Sequence, residues 1–188
     1  MKKIIIFASG SGTNAENIIK YFQANSLAEV ICIYCNNPKA GIIERAKNLN
    51  IKVRLFNREE FSKSNIILDE LKAVNPDLIV LAGFLWLIPA SFAHNFENKL
   101  INLHPALLPN YGGKGMYGHF VHEAVIINKE KESGITIHFV NEHYDEGAII
   151  AQFKTEITEK DTAETLAKKI HLLEYEHFPK VIEQLITQ

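Results

Sequence analysis

The sequence predicts an α/β fold of three layers, in which a mostly parallel, twisted sheet carries helices on both faces and ends in an antiparallel C-terminal hairpin. Short apolar runs rich in β-branched residues alternate with longer segments of helical period over residues 3–129. Such alternation is typical of βαβ units and a parallel sheet. Two later apolar runs, at residues 135–140 and 148–153, are separated by a segment short enough for an antiparallel hairpin.

Each element of this fold has its own signal along the chain. Five apolar runs are predicted as parallel strands, at residues 3–8, 28–35, 51–56, 77–82 and 100–104. Helical period predicts helices between most of these strands and after the last, at residues 13–24, 40–49, 59–74 and 115–129. A final helix begins near Thr162, and its apolar stripe consists of Leu166, Ile170, Leu173, Phe178 and Val181. Because the sequence shows no repeat or linker, we expect one domain over residues 1–188, with its halves meeting near residue 100.

Composition limits the partners of the chain. Of its 188 residues 47% are hydrophobic and 22% are charged, and the formal net charge is -2. The chain therefore lacks a broad basic field for nucleic acid or an anionic membrane, and an anionic ligand must be held locally. The apolar run that follows Lys3 is about five residues long, too short for a signal peptide or a membrane span. We expect a soluble protein of the cytoplasm.

Cysteine and histidine spacing does not predict a metal or redox site. Cys32 and Cys35 form a C-x-x-C pattern, but they fall in a predicted strand, where side chains three positions apart point to opposite faces. We interpret both as structural thiols. His119 and His122 share a predicted helix, yet no third ligand stands at a recognisable spacing. We therefore expect no metal.

A glycine-rich loop, Ser-Gly-Ser-Gly-Thr-Asn at residues 9–14, joins the first predicted strand to the first predicted helix. Glycines allow a tight turn, and the N–H groups of the following helix favour an anion such as phosphate. The alternative is a plain turn whose helix is capped by Thr13. A dinucleotide site is disfavoured, because the third glycine of the fingerprint is missing and residues 35–38 supply no acidic side chain for a ribose.

A second glycine pattern, Gly-Lys-Gly-Met-Tyr-Gly at residues 113–118, matches the dinucleotide fingerprint more closely but follows a loop and not a strand. The structural context that gives the fingerprint its meaning is therefore absent. We interpret this segment as a flexible loop beside a site, with Lys114 available for an anion, or as a plain connection.

Two polar residues stand at the end of the fifth predicted strand, in the stretch Ile-Asn-Leu-His-Pro. Asn102 and His104 are two apart and so share a face of the strand. Ligands of open α/β sheets bind at this carboxyl edge. An amide can donate to a developing oxyanion, and an imidazole with an ordinary pKa of about 6.5 can move a proton. Asp145 is the best candidate for a carboxylate that orients His104 and raises its pKa. The alternatives are a satisfied core histidine, a turn asparagine and a turn aspartate.

These motifs together resemble the phosphoribosylglycinamide formyltransferases, a family of folate-dependent enzymes of purine synthesis. The resemblance covers essentially the whole chain. It rests on the glycine loop, on Leu-Ala-Gly-Phe at residues 81–84, on Asn-Leu-His-Pro-Ala-Leu-Leu-Pro at residues 102–109, and on Asp-Glu-Gly at residues 145–147. Asn-x-His-Pro with a later aspartate marks folate formyltransferases in general, whereas the glycine loop and the compact length indicate this family.

The resemblance implies a formyltransferase fold, with a nucleotide-binding half at residues 1–100 and a catalytic, folate-binding half at residues 101–188. The implied reaction transfers a formyl group from the co-substrate 10-formyltetrahydrofolate to the amino group of N1-(5-phosphoribosyl)glycinamide. The implied catalytic residues are Asn102, His104 and Asp145. The implied substrate-binding residues are Gly12, Thr13, Asn14, His171 and Glu174. The implied folate-binding residues are Arg58, Leu85, Trp86, Leu87, Ile88 and Asn102. Trp86 stands where relatives often carry arginine. The expected partners are these two small molecules, without nucleic acid or membrane, and the expected state is a monomer or homodimer.

The hypothetical mechanism assigns oxyanion stabilisation to Asn102 and His104, while Asp145 keeps the imidazole charged or orders a proton-shuttling water. Alternative functions are a formyltetrahydrofolate hydrolase, a methionyl-tRNA formyltransferase, a sugar-nucleotide formyltransferase or a non-catalytic nucleotide-binding module. The first two would be expected to carry an extra regulatory or basic RNA-binding domain, for which 188 residues at a net charge of -2 leave no room. The phosphate-type loop favours a nucleotide monophosphate over a sugar nucleotide. A non-catalytic module should have lost one of the three polar residues, and all are present.

Overall fold

A computed structural model describes residues 1–187 and has a seven-stranded sheet at its centre. The strands are β1 (Lys2–Ala8), β2 (Ala28–Cys35), β3 (Val53–Leu55), β4 (Leu78–Leu81), β5 (Leu100–His104), β6 (Glu132–Phe139) and β7 (Ile149–Glu156). Their order across the sheet is β3-β2-β1-β4-β5-β6-β7. Strands β1 to β5 are parallel, whereas β6 pairs antiparallel with both β5 and β7. The predicted fold class is confirmed.

Helices cover both faces of this sheet. They are α1 (Thr13–Asn25), α2 (Ile42–Asn48), α3 (Arg58–Ser62), α4 (Ile66–Val74), α5 (Ala90–Asn95), α6 (His119–Ile127) and α7 (Ala163–Thr187). Buried side chains of α1, α2, α6 and α7 form one hydrophobic core with the sheet. Those of α3, α4 and α5 form a second core on the other face. No helix within residues 1–187 is long and apolar enough to cross a membrane.

Strand β1 shows why the central strands read as unbroken apolar runs. Its side chains alternate between the two cores: Ile4 and Ile6 lie in the first, Ile5 and Phe7 in the second. A parallel strand covered on both faces needs apolar residues at every position. Strand β2 follows the same rule, because Cys35 is buried in the first core while Cys32 packs against the second, and both thiols are free.

Three predicted elements differ from the structure, and one observed helix was not predicted. The helix predicted at residues 59–74 is divided into α3 and α4 by a polar break after Ser62, and the strand predicted at residues 51–56 is only three residues long. The helix predicted at residues 115–129 begins at His119, because Gly115 and Gly118 have positive φ angles of 90° and 52°. Helix α5 was not predicted. Its six residues are too few to show a helical period.

Candidate active site

The end of β5 brings three predicted residues together. Asn102 and His104 lie on the same face at the carboxyl end of the strand, and Asp145 reaches them from the loop between β6 and β7. The Nδ1 atom of His104 is 3.5 Å from Oδ2 of Asp145, and Nδ2 of Asn102 is 3.4 Å from Oδ1 of the same carboxylate. Side chains 41 and 43 positions apart therefore meet at one point.

A second histidine, His138, completes this cluster and was missed by the sequence analysis. It lies opposite Asn102 in the β5–β6 pairing. Its Nδ1–H donates to the carbonyl oxygen of Phe139 at 2.8 Å, since a carbonyl oxygen can only accept. In the neutral ring Nε2 is then an acceptor, and it lies 3.1 Å from Nδ2 of Asn102. This bond fixes the nitrogen end of the Asn102 amide, and the second N–H donates to Oδ1 of Asp145 at 3.4 Å.

The signal for His138 was present in the sequence. Thr136 and His138 are polar residues on one face of an otherwise apolar predicted strand. Only the antiparallel register with β5, however, places the imidazole beside Asn102. Thr136 has a related role, because its hydroxyl donates to the carbonyl of Ala106 at 2.6 Å and accepts from the N–H of Leu108 at 3.0 Å. It thereby anchors the loop that follows β5.

Burial and hydrogen bonding decide the proton state of His104. Burial lowers the pKa of His104 below its ordinary value, and the nearby Asp145 opposes this shift without overcoming it. Its Nε2–H donates to the carbonyl oxygen of Tyr111 at 2.7 Å, so the neutral ring carries its lone pair on Nδ1, beside Asp145. The expectation that Asp145 keeps this imidazole charged is therefore wrong, because desolvation outweighs the attraction.

Asp145 itself is held ionised. Burial alone would raise its pKa, but the neighbouring imidazoles of His138 and His104 and the Gly113 N–H bring its pKa below the ordinary value. The Gly113 N–H donates to Oδ2 of Asp145 at 3.0 Å. A half-buried carboxylate beside a neutral imidazole is a site that can receive a proton and stabilise the resulting cation.

One cavity of about 540 Å³ contains the cluster. It opens at the carboxyl ends of the parallel strands, where ligands of such sheets bind. Its lining includes every predicted site residue except Arg58: Gly12, Thr13, Asn14, Leu85, Trp86, Leu87, Ile88, Asn102, His104, Asp145, His171 and Glu174. Its volume is within the range of about 300–1000 Å³ that is usual for small-molecule sites.

The glycine loop forms one end of the cavity and requires glycine at position 12. Gly12 is the N-cap of α1 with a φ of 76°, and a Cβ there would be 2.5 Å from side-chain atoms of Ile42. No side chain caps α1, so the alternative of a Thr13 cap is wrong, and the N–H groups of the first turn are left for a ligand. The Nε–H of Arg45 donates to the carbonyl oxygen of Ser11 at 2.9 Å and holds the loop from α2.

A cluster of polar side chains lies next to this loop, between α1 and α7. Nδ2 of Asn14 donates to Oε2 of Glu174 at 2.8 Å, and Nδ1 of His171 lies 2.8 Å from the same oxygen. Glu174 is buried, and its hydrogen bond raises the pKa of His171. His122 of α6 lines the same cavity and is also buried. From the sequence His122 was a candidate only for a metal ligand, and its place in this cavity was not predicted.

An apolar wall at residues 85–88 forms another part of the cavity lining. Trp86 is half-buried and Ile88 is buried. Leu85 and Leu87 are exposed, and all four side chains line the cavity. Arg58 lies outside the lining, with its guanidinium carbon 4.5 Å from the centre of the Trp86 ring. The exposed Lys114 lines the cavity from the loop before α6. Within residues 1–187, no three or more histidine, cysteine, aspartate or glutamate side chains are arranged so that they could hold a metal ion.

Known proteins resemble this chain along its length. A family model described as formyl transferase matches residues 2–182. The phosphoribosylglycinamide formyltransferase of Bacillus subtilis (strain 168) is 37% identical over 191 residues, covering 99% of this chain and 95% of that protein. A chloroplastic phosphoribosylglycinamide formyltransferase of Vigna unguiculata is 39% identical across all of this chain, which spans 62% of that longer protein. The crystal structure of phosphoribosylglycinamide formyltransferase from Bacillus halodurans has a TM-score of 0.89 at 35% identity, covering 100% of this chain and 96% of that one. The chain therefore belongs to the formyl transferase family.

Proposed function

We propose that this chain transfers the formyl group of 10-formyltetrahydrofolate to the amino group of N1-(5-phosphoribosyl)glycinamide, a step of purine (IMP) synthesis. The observation that carries the proposal is that the Asn102, His104 and Asp145 cluster lines one cavity together with the glycine loop and the apolar wall. The relative from Bacillus subtilis is named for this activity, and this chain matches 95% of the length of that protein.

The glycine loop suits the phosphate of the amine substrate. The uncapped N-terminus of α1 presents backbone N–H groups and the positive end of the helix dipole. A net charge of -2 gives no general attraction for an anion, so this local site must supply it. The buried carboxylate of Glu174 would repel a phosphate, which supports a phosphate at residues 11–13 and the neutral sugar beside Glu174.

The apolar wall suits the flat ring of a folate. Residues 85–88 supply aliphatic and aromatic surface at the cavity mouth, and Val140 adds to the lining. Arg58, held over the Trp86 ring just outside the cavity, would meet the carboxylates at the far end of the folate. No part of the proposal requires a metal.

The cluster can then perform formyl transfer. The folate supplies the formyl group: a bond forms between the substrate amine and the formyl carbon, the bond from that carbon to N10 breaks, and one proton passes from the amine to N10. The second N–H of Asn102, which makes only a long hydrogen bond of 3.4 Å to Oδ1 of Asp145, turns to the formyl oxygen and stabilises its negative charge. The lone pair of His104 Nδ1 receives the amine proton, and Asp145 at 3.5 Å stabilises the imidazolium until the proton leaves.

The test measures consumption of the formyl donor by purified protein, with and without N1-(5-phosphoribosyl)glycinamide. We expect consumption only when the amine is present. Consumption without the amine would favour a hydrolase, and consumption only with an amino sugar nucleotide would favour a sugar-nucleotide formyltransferase. No consumption with any acceptor would favour a non-catalytic module. The Asp145→Asn variant is the matched control for contaminating activity.

A further inference from the structure

The cavity contains two buried polar atoms that residues 1–187 leave without a hydrogen-bond partner. They are Nδ1 of His122 and Oδ1 of Asn14. Only two other side-chain atoms of the described residues share this condition, on Asn36 and Ser133, and neither residue lines the cavity. Because an unpaired buried polar atom is costly, a pair of them in one ligand cavity indicates groups that a ligand completes.

His122 is well placed to be such a group. It lies on the first turns of α6, its side chain is 4% exposed, and it lines the cavity together with Asn14, His171 and Glu174. The charge of Glu174 acts on its ring, although burial still lowers the pKa of His122 below the ordinary value. The neutral ring therefore offers one N–H donor and one acceptor nitrogen.

The chemistry of the unpaired atoms selects the ligand group. Oδ1 of Asn14 needs a donor, since an amide oxygen can only accept. The buried carboxylate of Glu174, which already accepts from Asn14 and His171 through Oε2, excludes an anion from this part of the cavity. A hydroxyl group is neutral and both donates and accepts, so vicinal hydroxyls can pair with all of these groups at once.

We infer that His122 is a substrate-binding residue that, with Oδ1 of Asn14, hydrogen-bonds the ribose hydroxyls of the amine substrate and discriminates against sugars that lack them. The inference rests on the proposed function, because it takes the phosphate to be bound at residues 11–13. It adds a residue that acts on substrate affinity and leaves the chemical step to the cluster around Asp145.

The experiment compares the wild-type protein with His122→Leu, which removes both ring nitrogens, and His122→Asn, which keeps a polar atom near the Nδ1 position. The KM of the amine substrate should rise about 10-fold or more in His122→Leu and much less in His122→Asn, with kcat and the KM of the formyl donor nearly unchanged. His119→Leu, on the same helix but exposed and outside the cavity, is the matched control and should leave both KM values unchanged.

Two further measurements separate binding from a structural role. Thermal unfolding without substrate should show no loss of Tm in His122→Leu, because the buried Nδ1 atom of His122 has no hydrogen-bond partner to lose. The rise in Tm on adding the amine substrate should be smaller in His122→Leu than in the wild type. An analogue that lacks the 2-hydroxyl should bind wild type and His122→Leu with similar KM values. An unchanged KM for the natural substrate in a folded His122→Leu, or an equal preference of both proteins for the 2-hydroxyl, overturns the inference. Absence of amine-dependent transfer in the wild type would instead overturn the proposed function.

Discussion

At the scale of single residues, the site depends on the orientation of one amide. His138 accepts from Nδ2 of Asn102 because its own Nδ1–H is committed to the Phe139 carbonyl. Without that acceptor the amide is free to turn its oxygen toward the place where negative charge develops. On the proposed mechanism we therefore expect His138 to act as a positioning residue, through Asn102.

Replacement of His138 tests this role. In His138→Gln the side-chain oxygen can take the place of Nε2 as an acceptor, whereas His138→Leu offers none. We expect kcat to fall about 10-fold to 100-fold in His138→Leu and to recover largely in His138→Gln, with KM values little changed. Steady-state kinetics of the two folded variants give the answer. Equal kcat values in the leucine variant and the wild type would show that His138 does not position Asn102 for catalysis.

Sequence reasoning found the candidate catalytic residues but not the contacts between them. Asn102 and His104 could be predicted because period-two alternation and the following Pro105 place them at the end of a strand. The contact of His104 with Asp145 depends on the path of the β6–β7 loop, and the partner of Asn102 depends on an interstrand register. Neither is set by local sequence. The proton state of His104 was likewise mispredicted, because the degree of burial is a property of the folded chain.

At the scale of elements, the glycine loop and α2 are packed against each other. Gly12 has a positive φ of 76°, and the Cβ of any other residue would meet Ile42 at 2.5 Å. Gly10, two positions earlier, has no heavy atom within 4 Å of such a Cβ. Position 12 therefore requires glycine, whereas position 10 has space for a Cβ atom.

We expect Gly12→Ala to lower the free energy of unfolding by about 2–5 kcal/mol, from the left-handed backbone and the overlap with Ile42 together. Gly10→Ala should change it by less than about 1 kcal/mol. Adding Ile42→Ala to Gly12→Ala should relieve the overlap but not the backbone strain, so the two changes should not be additive. Urea unfolding of Gly10→Ala, Gly12→Ala, Ile42→Ala and the double variant measures these values. Equal stability of Gly10→Ala and Gly12→Ala would contradict the packing described.

The elements themselves were predictable to different degrees. The observed bounds of β5, Leu100–His104, are those predicted, because a short apolar run between polar segments defines them. Helix α5 and the break between α3 and α4 were not predictable, since segments of five to nine residues carry too few turns for a reliable period. The start of α6 was mispredicted because the sequence alone does not show that Gly115 and Gly118 adopt positive φ angles, which keep them out of the helix.

At the scale of the whole molecule, the fold class could be predicted because the alternation of strands and helices recurs over most of the chain. The family model over residues 2–182 and the similar crystal structure confirm the resemblance. The division of the chain into a nucleotide-binding half and a catalytic half stays a prediction. So does the expectation of a monomer or homodimer.

The buried histidines predict how global stability depends on pH. The pKa values of His104 and His122 are lowered from 6.5 by burial, so the unfolded chain binds protons that the folded chain excludes. Stability should therefore fall as the pH decreases through about 6.5 and below. His171, whose pKa is raised by Glu174, acts in the opposite direction, but it is about half exposed and its effect is weakened by solvent.

Urea unfolding between about pH 7.5 and 5.5, the range around the ordinary histidine pKa, measures this dependence. His122→Leu should flatten it, because one of the two groups is removed, while His119→Leu should leave it unchanged. A stability that rises toward pH 5.5, or the same slope in His122→Leu and the wild type, would contradict the described burial.

The central claim is that Asn102, His104 and Asp145 transfer a formyl carbon directly to the substrate amine. Its most direct test is a single-turnover reaction with a formyl donor labelled at the formyl carbon and N1-(5-phosphoribosyl)glycinamide, both saturating. We predict that the label appears in the formylated amine, and that Asn102→Ala and Asp145→Asn form this product about 10²-fold to 10³-fold more slowly. Label released as formate, or either variant reacting at the wild-type rate, would contradict the account.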